Sequence, residues 1–277
     1  MVDVGDEQKH QEEEDVGRRG KHHFVLVHGV GHGAWCWYKV RTLLQAAGHS
    51  VTCVDLSSAG IDPSDANALS SFDAYDQPLI THLLSNLPAD QKVVLVGHSA
   101  GGLSLTHAIH ALGSAKVTLA VFVCATMLRS GFWTPQDTQD GAPDLDQEVV
   151  ELVFGEGPEN APTSVRFKPE FQRQLFYNES PEEDAVLASM LLKPVPVRAL
   201  QSARFDNGEG VDVDAVSRVY VKTTKDRVLT PEQQENMIKR WPPCEVMTLE
   251  TDHSPFFSAP NHLVSLLLKA ASSDYCH

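Results

Sequence analysis

Positive charge is scarce in this chain. Its 277 residues carry 22 Lys and Arg against 37 Asp and Glu, for a net charge of −15 at pH 7. That balance excludes the basic surfaces that nucleic acids and anionic membranes reward, so neither is an expected partner. Long apolar runs are missing too: none approaches the roughly 20 residues a membrane span needs. Cysteine is sparse. Cys36, Cys53, Cys124, Cys244 and Cys276 are odd in number, scattered and without metal-ligand spacing, which implies no metal site and a reduced, cytoplasmic setting. The opening MVDVGDEQKHQEEEDVGRRG lacks the apolar core of a secretory signal, and its acids are unlike a transit peptide. With no apolar periodicity, residues 1–20 are expected to form a disordered acidic tail.

What is present is a core-forming composition, 42% hydrophobic, in which strand-like and helix-like stretches alternate. HFVLVHG (23–29), VTCVDL (51–56), KVVLV (92–96), VTLAVFVCA (117–125), SRVYVKTT (217–224) and EVMTLE (245–250) read as strands. Between them, apolar residues recur at helical spacing: Val40, Leu43, Leu44, Ala47; Ile80, Leu83, Leu84, Leu87; Leu105, Ala108, Ile109, Leu112; and finally Val264, Leu267, Leu268, Ala271. Thr230, Pro231 and Gln233 announce a further helix start with a capping box. The rhythm implies a mostly parallel sheet with helices on both faces. Residues from about 129 to 217 interrupt it. They are rich in Pro, Gly and acids, with short helical pieces expected in DLDQEVVELVF and SPEEDAVLASMLL. One α/β domain over 21–277 with a cap inserted at about 129–217 is the expected organisation.

The stretch VVLVGHSAGGLS (93–104) carries the chemistry. A strand that ends in Gly97-x-Ser99-x-Gly101 and turns into a helix is the setting of a nucleophile elbow. There the serine backbone is strained, its neighbours two residues away must be small, and the helix N-terminus faces the reacting centre. A serine hydroxyl needs a base, and the base an orienting acid, in the chain order Ser, acid, His. His253 follows the last strand and opens the loop HSPFFSAP. Asp226 stands just beyond strand 217–224, whereas Asp252, adjacent to the histidine, is poorly placed to orient it. The oxyanion donors are expected from the backbone of Ala100, after the nucleophile, and of Val30, in the glycine loop HGVGHGAW (28–35). His28 and His32 in that loop could pack or support the site; the sequence leaves both roles open.

With these residues in place, FVLVHGVGHGAWCWYK, VTCVDLSSAGIDP, FDAYDQPL, VGHSAGGLS, SPEEDAVLASML and DHSPFFSAP resemble the plant methylesterase family of α/β-hydrolases. That family also contains the plant hydroxynitrile lyases, and the similarity runs from about residue 23 to 270. The resemblance implies an α/β-hydrolase fold and a triad of Ser99, Asp226 and His253. DGAPDL, GPENAPTS, KTTKDRV, PEQQENMIKRWPP and DHSPFFS are most similar to the branch that hydrolyses methyl indole-3-acetate. The lyases resemble this chain but carry threonine at the position of Gly29, glutamate at that of His98 and lysine at that of Ser254. All three positions here are of the esterase kind.

The expected function is therefore hydrolysis of a plant hormone methyl ester, methyl indole-3-acetate first, to the free acid and methanol without a metal or organic cofactor. Methyl jasmonate, methyl salicylate or a chlorophyll catabolite are the alternative esters, and a non-catalytic hormone-binding α/β-hydrolase is the rival class. Gly29, His98, Trp133 and Phe256 are the expected substrate contacts. Trp133 leads among the cap aromatics (Phe132, Phe154, Phe167 and Phe176 are others) because it follows strand 117–125 near the sheet's carboxyl edge. The amphipathic helices give no sign of an exposed dimer seam, and a homodimer is left open.

Overall fold

The computed structural model describes residues 20–144, 146–206 and 211–272. All but the last residue of the expected acidic tail lies outside them. The six major strands are β1 (His23–Val27), β2 (Ser50–Val54), β3 (Val93–His98), β4 (Val117–Val123), β7 (Ser217–Thr223) and β8 (Glu245–Leu249). They form one sheet in the order β2-β1-β3-β4-β7-β8, and every neighbouring pair is parallel. β5 (Val150–Val153) and β6 (Ser164–Phe167) pair antiparallel in a separate two-stranded sheet.

The continuous apolar runs are explained by burial on both faces. Along β1, Val25 and Val27 pack in one core cluster while Phe24 and Leu26 pack in the other. β3 divides likewise, Val93 and Leu95 against Val94 and Val96. Phe72, Tyr75 and Leu79 of helix Phe72–Thr81 and Leu105, Ala108 and Ile109 of helix Gly101–Lys116 cover the first face. Val40 and Leu44 of helix Tyr38–Ala46 and Leu263, Val264 and Leu267 of helix Pro260–Ser272 cover the second. The stripe at Ile80–Leu87 belongs to a longer unit than its spacing suggests. Helix Phe72–Thr81, capped by the Ser71 side chain on the Ala74 amide, runs on into a π turn at His82–Asn86.

One expectation needs correction. DLDQEVVELVF is not a helical piece: a 3-10 turn at Gln147–Val149 leads into β5. A short apolar run with β-branched valines cannot be told from a helix by periodicity alone, and pairing of Val150 with Phe167 and Leu152 with Val165 decides it as strand. Among the described residues Cys36, Cys53 and Cys124 are free thiols.

The Thr230 signal forms as expected. Its hydroxyl accepts from the Gln233 amide at 3.2 Å, the Gln233 side chain accepts from the Thr230 amide at 3.1 Å, and Pro231 opens helix Pro231–Arg240. Losing such a cap costs about 1 kcal/mol. Thr230→Ala is therefore expected to lower the thermal midpoint by roughly 2–4 °C for a domain of this size. An unchanged melt would assign the box no net stabilisation.

Candidate active site

Ser99 sits immediately past β3 with φ +53°, a left-handed conformation that a non-glycine residue adopts only when its surroundings hold it there. The holding contacts are all backbone. Its amide donates to the Val123 carbonyl at 3.3 Å, and its carbonyl accepts from Gly102 at 3.0 Å and Thr126 at 2.9 Å. The flanking glycines are required by close approach. A Cβ on Gly97 would lie 2.7 Å from the Gly101 carbonyl oxygen, and one on Gly101 would lie 2.7 Å from the His28 carbonyl oxygen. The helix Gly101–Lys116 thus begins directly at the serine, with Ala100 as its N-cap residue.

His253 and Asp226 converge from the ends of β8 and β7. His253 Nδ1 lies 2.8 Å from Asp226 Oδ2, and both side chains are almost fully buried. The Asp226 carboxylate is held at both oxygens: Oδ1 accepts from the amides of Val228 (2.8 Å) and Leu229 (3.0 Å), and Oδ2 also accepts from the Thr223 hydroxyl at 3.0 Å. A carboxylate that only accepts makes His253 Nδ1 the donor, which leaves Nε2 with its lone pair free to act as base. Among the described residues no hydrogen bond joins Ser99 Oγ to His253 in this ligand-free arrangement. Such bonds commonly tighten only when substrate is bound. Asp252 is engaged elsewhere, with Ser254 N, Ser258 Oγ, Glu179 N and Ser180 Oγ, so it anchors the loop rather than the imidazole.

Ser99, Val30 and Ala100 line a single cavity of about 410 Å³. Among the described residues the amides of Val30 and Ala100 donate to no protein acceptor, which suits a pair of donors reserved for a ligand oxygen. The remaining wall is mostly apolar. Leu103 and Leu229 line it, as do Val150, Val165 and Phe167 of the two-stranded sheet. Phe132 lines it as well, one residue before the aromatic the sequence favoured. Thr126, whose hydroxyl donates to the Gly141 carbonyl at 2.7 Å, is a lining residue that no sequence signal marked.

The four expected substrate contacts fare differently. Trp133 is half exposed and lies outside this cavity, along a neighbouring depression that shares Phe132, Ala142 and Gln201 with it. Its ring faces the Arg204 guanidinium at 5.7 Å. Phe256 is fully buried and packs on Trp37, His98 and Phe257, with ring centroids 5.3, 4.9 and 4.6 Å away. It is a core residue because its short helix, Pro255–Ser258, turns it inward. Gly29 makes room rather than contact: a Cβ there would lie 2.8 Å from Ser99 Cβ and 2.9 Å from His98 Nδ1. His98 does not line the cavity either; its Nε2 lies 2.6 Å from the His253 carbonyl oxygen.

Three buried histidines, His28, His32 and His98, lie beside the serine. His28 donates from Nδ1 to the Gly29 carbonyl at 2.7 Å and accepts at Nε2 from the Leu56 amide at 3.2 Å. His32 donates from Nδ1 to the Val30 carbonyl at 3.1 Å, and its Nε2 lies 2.8 Å from the Tyr177 hydroxyl. His28 thus has one donor and one acceptor nitrogen, which only neutral imidazole provides. Burial drives all three pKa values down: His28 below its ordinary value, His32 to about 3, and His98 well below it.

Donor atoms of His98, Cys124 and His253 lie within 4.8 Å of one another, a spacing that could hold a metal ion. Cys124 Sγ, however, is aimed at the His253 carbonyl, as is His98 Nε2. Burial also pushes the Cys124 thiol well above its ordinary pKa, against the thiolate that metal binding needs. The cluster is a hydrogen-bonding group around the base.

Known proteins resemble this chain along nearly all of its described length. The Alpha/beta hydrolase family profile matches residues 24–265. Methylesterase 17 of Arabidopsis thaliana is 51% identical over 255 residues, covering 91% of this chain and 92% of that protein. Pheophorbidase of Raphanus sativus is 45% identical over 252 residues, covering 90% and 94%. The crystal structure of the methylesterase MES16 from Arabidopsis superposes with a TM-score of 0.81 at 42% identity, covering 91% of this chain and 99% of the other.

Proposed function

Because this chain belongs to the plant methylesterase family of the α/β-hydrolases, we propose that it cleaves the methyl ester of a small planar acid, methyl indole-3-acetate first, using Ser99, His253 and Asp226. It is a carboxylic ester hydrolase of the serine class; the substrate and the residue roles are our reading. The observation that carries it is that Ser99 and the two uncommitted amides of Val30 and Ala100 open onto one apolar cavity. At about 410 Å³ the cavity lies toward the small end of the roughly 300–1,000 Å³ common for ligand sites. That size suits a bicyclic acyl group better than a tetrapyrrole, and the lining offers a flat ring few polar competitors.

Ser99 Oγ attacks the ester carbonyl while His253 Nε2 takes its proton. The carbonyl electron pair moves onto oxygen, where the Val30 and Ala100 N–H groups receive it; one such donor contributes roughly 3 kcal/mol. Asp226 stabilises the imidazolium through Nδ1. His253 then returns the proton to the departing methoxide, methanol leaves, and the acyl group stays on Ser99. A water attacks in turn, giving its proton to His253, and collapse releases the free acid and restores the serine hydroxyl.

A panel of methyl esters ranked by kcat/KM tests the substrate, with Ser99→Ala as the control. Methyl indole-3-acetate is expected to head the ranking over methyl jasmonate, methyl salicylate and a chlorophyll catabolite ester. A rank far below any of them would remove the indole assignment and leave a methylesterase of other specificity. Equal slow turnover by wild type and Ser99→Ala would instead favour a binding protein.

A further inference from the structure

We infer that His98, seconded by Cys124, is a positioning residue that clamps the main chain of His253 and so aims its imidazole. His98 stands at the end of β3, directly before the serine, and Cys124 follows β4. His253 is 155 residues from one and 129 from the other, yet its carbonyl oxygen receives both: His98 Nε2 at 2.6 Å and Cys124 Sγ at 3.4 Å. A carbonyl only accepts, so His98 carries its proton on Nε2 and Cys124 donates its thiol hydrogen. Cys124 holds φ +36°, a left-handed conformation unusual for a residue with a side chain. That backbone is anchored by its amide on the Val221 carbonyl at 2.8 Å. The last residue of β3 and the first beyond β4 therefore converge on one atom of the β8 loop.

The choice of imidazole as the clamp has a physical reason. The His98 ring lies 4.6 Å from the His253 ring, which becomes a cation twice in each turnover. A Lys or Arg donor at that distance would oppose the cation in a site with little water to screen it. His98 avoids this because it stays neutral. Its Nδ1 is buried, has no hydrogen-bond partner and faces the space at Gly29, so a second proton there would be stranded. Trp37 and Phe256 pack edge-on against the ring at 6.4 and 4.9 Å, fixing its plane. His32 stands 6.1 Å away on another side and is neutral as well. A general base must be held to a fraction of an ångström, and a misplacement of about 1 Å can cost on the order of a hundredfold in rate.

This inference rests on His253 being the base, and its test is independent of which methyl ester is the natural substrate. Wild type, His98→Phe, His98→Gln and His98→Asn would be compared with p-nitrophenyl acetate, and the His253 Nδ1 proton shared with Asp226 would be followed by NMR in the ligand-free protein. His98→Phe keeps the ring shape but loses the donor. It is expected to lower kcat roughly ten- to hundredfold with KM within about twofold, and to shift or broaden the Nδ1 resonance. His98→Gln can place an amide N–H near the same point and should recover most of the rate, whereas the shorter His98→Asn should not. Full activity in His98→Phe, or equal losses in Gln and Asn with an unmoved His253 resonance, would overturn the clamp. If His98→Phe fails to fold, the Gln and Asn pair decides alone. A missing rate in wild type beside a normal His253 resonance would count against the esterase reading, and the NMR comparison would still decide the clamp.

Discussion

Asp226→Asn is expected to lower kcat by roughly 10⁴-fold, as in other serine-histidine-acid enzymes, while the protein stays folded. The hydrogen bonds onto the carboxylate dictate how the new amide must sit. Oδ1 accepts from two backbone amides, Val228 and Leu229, so the asparagine oxygen has to stay there. The NH₂ group then takes the place of Oδ2, facing His253 Nδ1 at 2.8 Å. Two N–H groups cannot face each other, so His253 moves its proton to Nε2, the nitrogen needed to receive the serine's. The base is lost through its tautomer, with packing intact. The check is kcat for a generic aryl ester beside a thermal melt: a near-normal melt with a collapsed rate is the expected pair. Wild-type turnover would place the orienting acid elsewhere.

Legibility from the chain followed the range of the physical demand. The elbow was readable because its constraints are local. Gly97, Ser99 and Gly101 lie within five residues, and the crowding that demands the glycines involves the turn itself and the neighbouring β1 end. His253 and Asp226 were readable because the acid and base must stand just past strand ends, and both strands announce themselves as apolar runs. Val30 and Ala100 follow from the same topology. They are backbone donors, so their side chains needed no chemical signature.

What the sequence concealed depends on contacts between distant segments. Phe256 lies close to His253 in sequence, but the turn after Ser254 sends it into the core rather than the cavity. Trp133 and Phe132 are equivalent on composition. Only the path of the chain after β4 puts Phe132 on the cavity wall and leaves Trp133 outside. The two-stranded sheet that supplies Val150, Val165 and Phe167 was read in part as helix, since four-residue strands carry too few residues to show a period. His98 was noticed for its place beside the serine, but a bond to a carbonyl 155 residues away leaves no trace in local pattern.

Acid should destabilise this protein early and steeply. His28, His32 and His98 are buried and neutral, with pKa values pushed down by desolvation, to about 3 for His32. In the unfolded chain the same rings take protons as pH falls through about 6.5. Below that point the unfolded state binds protons the folded state refuses, so stability rises with pH and is lost as pH drops. Each such histidine contributes a slope of up to about 1.4 kcal/mol per pH unit, and three together about 4. His107 acts in the opposite sense. The buried Asp76 carboxylate 2.7 Å from its ring helps raise its pKa despite burial, so it adds stability on the acid side of neutrality, but burial also lowers the pKa values of His22, His23, His49 and His82, which act with the three. Protonation would also break a specific bond, since His28 Nε2 could no longer accept from the Leu56 amide. Urea unfolding between pH 7.5 and 5 is expected to show the free energy falling ever more steeply below about 6.5. His98→Gln, which removes one of these rings, should make that slope shallower by one histidine's share. A flat profile over this range would mean that the folded protein accepts these protons, and that the neutral ring around the serine does not exist in solution.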